Sequence, residues 1–317
     1  MSGGLPVVVG LGPVDPALVS GVLAGHCHFV PGPGDRDLTV AAGAIARADA
    51  RIDRARLAAM PALQVIARTG VGVDLVDLTA ATHRGIAVVI TPGAGATAVA
   101  EGAIGMALHL VKRFGPLTAL VRQGRWAQRA AVPVGDLDGA TLGVVGYGRI
   151  GRRTAALGAA FGMRVLAYDP VSEPPGAMRC ASLAGLAARS DVVTLHLPLT
   201  SQTRHLIGDD FLARVKPGAV LVNCGRGGLV DTDAAWRALT DGRLSGVGLD
   251  VFDPEPPTPH PLYEHPDVVL TPHLMGLSRR ATAATFAAAA QGILDVLGGR
   301  EPAATANPGW RDRRAVR

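Results

Sequence analysis

A chain of 317 residues, 48% of them hydrophobic, is long enough to bury two domain cores, and 4% aromatic content leaves those cores to Ala, Val and Leu. The net charge of +5 comes from scattered residues, nearly all arginine, which argues against a nucleic-acid face; the basic tail Arg311, Arg313, Arg314 and Arg317 reads as a solvated terminus. Cys27, Cys180 and Cys224 suit neither a disulfide framework nor a metal site, and no charged leader or membrane-length apolar run is present, so a reduced, cytoplasmic chain is expected.

Residues 5–90 alternate strand and helix, the pattern of a parallel sheet covered on both faces. Val7–Val9 reads as a strand, Asp15–Leu23 as a helix, and Leu63–Ile66 as a strand leading into Arg68–Asp74. A helix over Leu78–Arg84 and a strand over Ile86–Ile90 follow. Ala98–Phe114 reads as one long apolar helix that bridges to the next unit and could serve as a hinge or a dimer contact. The apolar run Thr141–Val145 then meets Gly146-Tyr147-Gly148-Arg149-Ile150-Gly151, a helix over Arg152–Phe161, and a second run, Val165–Tyr168, ending at Asp169. This order of strand, glycine turn, helix, strand and acid is what a dinucleotide site requires. Gly146 permits the tight turn, Gly148 lets the backbone approach a pyrophosphate, and Gly151 lets helix and strand pack. The helix N-terminus offers free N–H groups to phosphates. Asp169 suits the free ribose hydroxyls of NAD and would repel the 2′-phosphate of NADP.

Three later strands each end in a group that could do chemistry. Ala219–Val222 leads to Arg226, Gly246–Leu249 to Asp250 and Glu255, and Val268–Leu270 to His273. Ligands of open α/β sheets sit beyond the carboxyl ends of the strands, so these four face a cofactor crevice. A guanidinium suits a carboxylate clamp, and an imidazole suits proton transfer near neutral pH. A carboxylate beside the imidazole would orient it and favour its charged form. Each of these types is usually a plain surface residue, and most of the nine histidines are read that way. His196 follows a strand beside the turn and is read as structural. The last helix, Arg279–Leu297, stopped by Gly298-Gly299, can pack back on the first unit.

The segments Asn223–Asp231 (NCGRGGLVD), Asp250–Pro256 (DVFDPEP) and Thr271–His273 (TPH), with the glycine turn, Tyr168–Pro170, Arg68–Asp74 (RTGVGVD) and Thr97–Glu101, resemble the D-isomer-specific 2-hydroxyacid dehydrogenases. The nearest branch resembles the 3-phosphoglycerate dehydrogenases and the glyoxylate or hydroxypyruvate reductases. The resemblance runs from about Leu63 through Ala290 and is loose over the first sixty residues. It implies two Rossmann-like domains, parallel sheets with helices on both faces, and an active site in the cleft between them. The expected substrate domain is residues 1–98 plus 285–317, and the dinucleotide domain residues 99–284. It implies Arg226 as carboxylate clamp, His273 as proton donor and acceptor, and Glu255 as its orienting acid. Gly146, Gly148, Arg149, Ile150, Gly151, Asp169, Leu197, Cys224 and Asp250 would bind NAD, Asp250 at the nicotinamide edge. Val71 and Gly72 would offer backbone N–H groups to the substrate carboxylate.

Arg47 and Arg68 fall where phosphoglycerate-type enzymes place cations for the remote phosphate, and Arg129 could reach across a dimer. Gly95 departs from the pattern, since many relatives carry asparagine there. The chain ends soon after its last helix, so a C-terminal regulatory domain is not expected. The expected protein is therefore an NAD-dependent oxidoreductase of a small 2-hydroxy acid, with no metal, nucleic-acid or membrane partner, and a homodimer through its nucleotide-binding domains. The competing reading is an NAD(H)-sensing binding or regulatory protein on the same fold.

Overall fold

The computed structural model describes residues 4–47, 49–176 and 178–314; Arg317 of the basic tail lies outside them. The chain forms two compact units, Met1–Gly95 with Leu277–Arg317, and Ala96–Gly276.

The first unit holds a parallel sheet of β1 (Val7–Leu11), β2 (His28–Val30), β3 (Ala41–Ala46), β4 (Val65–Arg68) and β5 (Ala87–Val89). The strands lie in the order β2-β1-β3-β4-β5. Helices α1 (Ala17–Leu23), α2 (Asp35–Val40), α3 (Arg54–Ala58) and α4 (Leu78–His83) connect them. Asp53 and Asp77 cap α3 and α4 by accepting the N–H groups of Arg56 and Ala80. Alternate strand residues feed two apolar clusters: Val8, Ile45, Val65 and Val89 in one, Val9, Ala44, Ile66 and Val88 in the other. Period-two burial on both sides is what a doubly covered parallel sheet demands.

The second unit carries α5 (Ala96–Val111), α6 (Phe114–Arg122) and six parallel strands: β6 (Thr141–Val145), β7 (Arg164–Tyr168), β8 (Val192–Leu195), β9 (Ala219–Asn223), β10 (Leu244–Leu249) and β11 (Val268–Leu270). Their order is β11-β10-β9-β8-β6-β7, so the winding reverses between β6 and β8. That reversal opens a crevice at the strands' carboxyl ends. Helices α7 (Arg149–Ala160), α8 (Leu183–Ala187), α9 (Asp209–Leu212), α10 (Thr232–Thr240) and α11 (Pro261–Glu264) complete the unit. The chain then returns to the first unit as α12 (Arg279–Leu297) and α13 (Trp310–Arg314). Phe286, Ala289, Ala290 and Ile293 of α12 are buried with Val65 and Val89 of the sheet.

Three expectations are corrected. The junctions expected at 98/99 and 284/285 both cut helices; the chain divides at 95/96 and 276/277, so α5 and α12 stay whole. The single helix expected over Ala98–Phe114 breaks, because Arg113 adopts φ +56°. Its guanidinium is held by Asp267 at 3.0 Å and by the Ser245 carbonyl at 3.1 Å, a long-range tie invisible to periodicity. Helix α7 begins at Arg149 rather than Arg152, directly on the glycine turn. Among the described residues no single helix is long and apolar enough to cross a membrane.

Candidate active site

The glycine turn sits where the winding reverses. Gly146 has φ +94°, and a Cβ there would lie 2.7 Å from the His196 carbonyl oxygen, so the turn is tucked against the segment leaving β8. A Cβ on Gly151 would overlap the Gly146 carbonyl oxygen. Gly148 differs from both. Its φ of −75° is open to any residue, and a Cβ there would meet nothing within 4 Å. Neither conformation nor packing within the chain asks for glycine at 148, which leaves the backbone there open to a group approaching from outside. The first turn of α7 starts at that point with unpaired N–H groups, the environment a pyrophosphate fits.

Asp169 fixes the other side. One carboxylate oxygen accepts the Tyr147 N–H at 2.6 Å; the other accepts those of Val171 and Ser172 at 2.8 Å each. Burial alone would raise its pKa, but these N–H groups and Arg152 hold it below the usual range, so it is ionised. An ionised acid at the tip of β7 accepts ribose hydroxyls and repels a phosphate. The residues therefore fit a dinucleotide with a free 2′-hydroxyl.

Beyond β9, Asn223 is fully buried; its Oδ1 accepts the Gly225 N–H at 3.0 Å and its Nδ2 donates to the Arg226 carbonyl at 2.9 Å. This side-chain turn sets the direction in which half-buried Arg226 leaves the sheet. A Cβ on Gly227 would overlap the Phe252 carbonyl, so the β9 loop touches the β10 loop through this glycine. On the β10 loop, Phe252 N–H donates to Glu255 Oε1 at 3.0 Å. Glu255 Oε2 meets His273 Nδ1 at 2.8 Å.

The electrostatics couple these three residues. The hydrogen bond to Glu255 raises the His273 pKa above its ordinary value; burial opposes this, the charges of Glu255 and Asp250 add to it, and Arg226 opposes it. Burial pushes Glu255 up, but the His273 bond, the Phe252 N–H and the charges of His273 and Arg226 bring it below the usual range. The result is a His273–Glu255 pair near the Arg226 charge in which the charged form of the ring is favoured more than in a free histidine; Nδ1 faces Glu255, leaving Nε2 as the other ring nitrogen. This arrangement can exchange a proton with an oxygen while a neighbouring cation holds a carboxylate.

The other expected residues fall in several places. Leu197 lies against the glycine turn, its Cδ2 2.7 Å from a Cβ placed on Gly146. Cys224 is buried, and burial with the nearby Asp250 charge pushes its thiol up to about 12, so it stays protonated. Asp250, expected at the nicotinamide, is only 2% exposed and serves the His273 loop: it accepts the Thr271 hydroxyl at 2.6 Å and the N–H groups of Leu274 at 2.9 Å and Met275 at 3.2 Å.

Arg68 is 3% exposed and donates to the carbonyls of Gly72 at 3.1 Å, Arg47 at 2.5 Å and Ala50 at 3.2 Å. It braces the loop bearing Val71 and Gly72 from beneath, which corrects its expected role as a phosphate cation. Arg47 is half-buried, its guanidinium 5.7 Å from the centre of the Phe286 ring. Val71 is half exposed on the braced loop. Sequence reasoning passed over Asn223 and Gly227, whose signal was an Asx residue followed by paired glycines at a strand end. Both ring nitrogens of His196 are buried with no hydrogen-bond partner among the described residues, and burial pushes its pKa down to about 4.

Residues 104–275 match the family model for the NAD-binding domain of the D-isomer-specific 2-hydroxyacid dehydrogenases. A D-3-phosphoglycerate dehydrogenase of Methanocaldococcus jannaschii is 38% identical over 260 residues, covering 80% of this chain and 49% of that protein. A hydroxypyruvate reductase of Thermotoga maritima is 39% identical over 216 residues, covering 67% of this chain and 70% of that one. The solved NADPH-dependent glyoxylate/hydroxypyruvate reductase of Sinorhizobium meliloti superposes with a TM-score of 0.85 at 30% identity, covering 95% of this chain and 97% of its own. The chain spans about half the length of the phosphoglycerate dehydrogenases it matches. With the reversed sheet, the glycine turn and these matches together, the chain belongs to the D-isomer-specific 2-hydroxyacid dehydrogenase family, and its second unit is that family's NAD-binding domain.

Proposed function

We propose that the protein interconverts a small D-2-hydroxy acid and its 2-oxo acid with NAD(H), acting on the phosphohydroxypyruvate, hydroxypyruvate or glyoxylate class. The observation that carries this reading is the 2.8 Å pair of His273 and Glu255 under the charge of Arg226. Gly146, Gly148, Arg149, Ile150 and Gly151 would hold the pyrophosphate, Asp169 the adenosine ribose, and Leu197 and Cys224 the nicotinamide end. Bound NAD(H) is the source and acceptor of the hydride exchanged with C2 of the acid. Arg226 pairs with the substrate carboxylate through its planar fork. His273 gives the proton on Nε2 to the carbonyl oxygen as the oxo acid is reduced and takes it back in oxidation. Glu255, anchored on the Phe252 N–H, keeps the ring aligned and its charge compensated.

A panel of glyoxylate, hydroxypyruvate, phosphohydroxypyruvate and bulkier 2-oxo acids, run with NADH and NADPH, tests this. Turnover with NADH on the compact acids is expected, with His273→Ala losing roughly 10²–10⁴-fold in rate and NADH binding retained. Arg47→Ala lowers any preference for the phosphorylated acid. Wild-type rates in His273→Ala, or NADH binding with no turnover across the panel, would overturn the reading. The second unit exposes Phe114, Val121, Trp126 and Val134, an apolar set suited to a second copy of the chain, and a dimer mass in sedimentation is the expected result.

A further inference from the structure

The loop that carries His273 is gripped from one side by Asp250, as described above, and from the other by a packed side chain. The backbone of His273 has φ +54°, a strained value for a residue with a Cβ, so the arch from Thr271 to Gly276 needs something to hold it in shape. Leu274 points outward and is 50% exposed. Met275 instead packs against the cluster formed by Ala103, Met106, Val144 and Val222. It does so at one position of α5, Gly102. A Cβ on Gly102 would lie 3.1 Å from Met275 Cβ, 2.8 Å from its Cγ and in overlap with its sulfur.

A glycine in the middle of a 16-residue helix lowers helix stability by roughly 0.5–1 kcal/mol relative to alanine. The helix has no conformational need for it, since Gly102 is not among the positive-φ glycines. What Gly102 provides is a notch one side chain wide, and the thioether of Met275 occupies it. Unbranched and polarizable, methionine suits such a slot.

We infer that Met275, seated in the notch at Gly102, is a positioning residue for His273: the depth of its seat sets where the imidazole stands over Glu255. Glu255 is fixed by its own strand end through the Phe252 N–H, and Met275 and Asp250 fix the next strand end over. The 2.8 Å bond between His273 and Glu255 spans the β11 and β10 loops, which Asp250 of the β10 loop also ties together; Met275 is the anchor of the His273 loop that rests on another element, α5, so a shift of that anchor shows in the bond. The arrangement rests on the proposed function only for what His273 does in turnover; the seat itself does not depend on it.

Four variants of the full-length protein test the seat: Gly102→Ala, which pushes the sulfur out; Met275→Ala, which empties the notch; Met275→Leu, which refills it; and Gly102→Ala with Met275→Ala, which fills it from the helix side. The primary readout is the titration of the His273 ring by NMR, which needs no substrate. Turnover, NADH affinity and melting temperature are measured alongside. Each small single variant is expected to bring the His273 titration down toward the ordinary histidine value and cut kcat roughly tenfold or more, with NADH affinity within about twofold. Met275→Leu keeps both, and the double variant recovers part of what either single loses, because neighbours in contact are not additive. Folded single variants with a wild-type His273 titration overturn the inference. If Gly102→Ala fails to fold, Met275→Ala decides alone. A wild-type protein with no turnover on any 2-oxo acid would sink the functional reading, while the titration series would still decide the seat.

Discussion

His273 and Glu255 make a prediction with a definite sign. The pairing with Glu255 raises the imidazole's pKa, so the charged ring persists to higher pH than a free histidine. On the proposed function, reduction of the oxo acid uses the protonated ring, so its kcat/KM is expected to be full below the raised pKa and to fall as pH rises through it. Oxidation would use the neutral ring and is expected to rise through the same value. Glu255→Gln keeps the shape and removes the charge, so both limbs move to lower pH together. Pairs of pH profiles in the two directions would check this, and profiles that superpose on wild type would remove Glu255 from the mechanism. At this scale the pairing of Glu255 with His273 was legible because chemistry restricts residue types: a guanidinium, an acid and an imidazole at successive strand ends are a rare set, and the proposed roles rest on it. Arg68 was misread because sequence displays a charge without its surroundings, and here the guanidinium lies beneath a loop with backbone carbonyls as partners.

Among the elements, the strand–turn–helix at 141–160 was legible apart from the helix start, which falls three residues earlier than expected, since Gly146 and Gly151 act on chain neighbours or on the segment leaving the adjacent strand. The break between α5 and α6 was not, because its cause lies at Asp267 and Ser245, far along the chain. The notch at Gly102 was hidden for the same reason. Two glycines of the turn separate by experiment. Gly151→Ala forces a Cβ onto the Gly146 carbonyl and should lower stability by roughly 1–3 kcal/mol, as overpacked sites do, and weaken NADH binding as well. Gly148→Ala projects into open space, so the melting temperature should stay at the wild-type value while NADH Kd rises about tenfold or more, equivalent to roughly 1.4 kcal/mol. Thermal melts and NADH fluorescence titration read the two effects apart. A destabilised Gly148→Ala protein, or one with wild-type affinity, would mean that no phosphate approaches the backbone there.

At the scale of the whole molecule, the first unit is assembled from both chain ends, and its core depends on the later one. Phe286, Ile293 and Val296 of α12 and Trp310 of α13 are buried with the strands of the N-terminal sheet. Asn307 is tied in as well: its Oδ1 accepts the Val88 N–H at 2.8 Å and its Nδ2 donates to the Ile86 carbonyl at 2.9 Å. Exposing Phe286, Ile293 and Val296 alone forfeits roughly 1.5–3 kcal/mol each, comparable in sum to the roughly 5–15 kcal/mol that holds a whole domain together. The second unit is continuous, with apolar clusters on both faces of its own sheet. Residues 96–276 expressed separately should therefore fold and bind NADH. Residues 1–95 alone should show no cooperative unfolding, and joining 277–317 to them through a flexible linker should restore it. Near-ultraviolet circular dichroism and thermal melts of the three polypeptides make the comparison. A cooperative transition in residues 1–95 alone would show that α12 covers a sheet already able to stand without it.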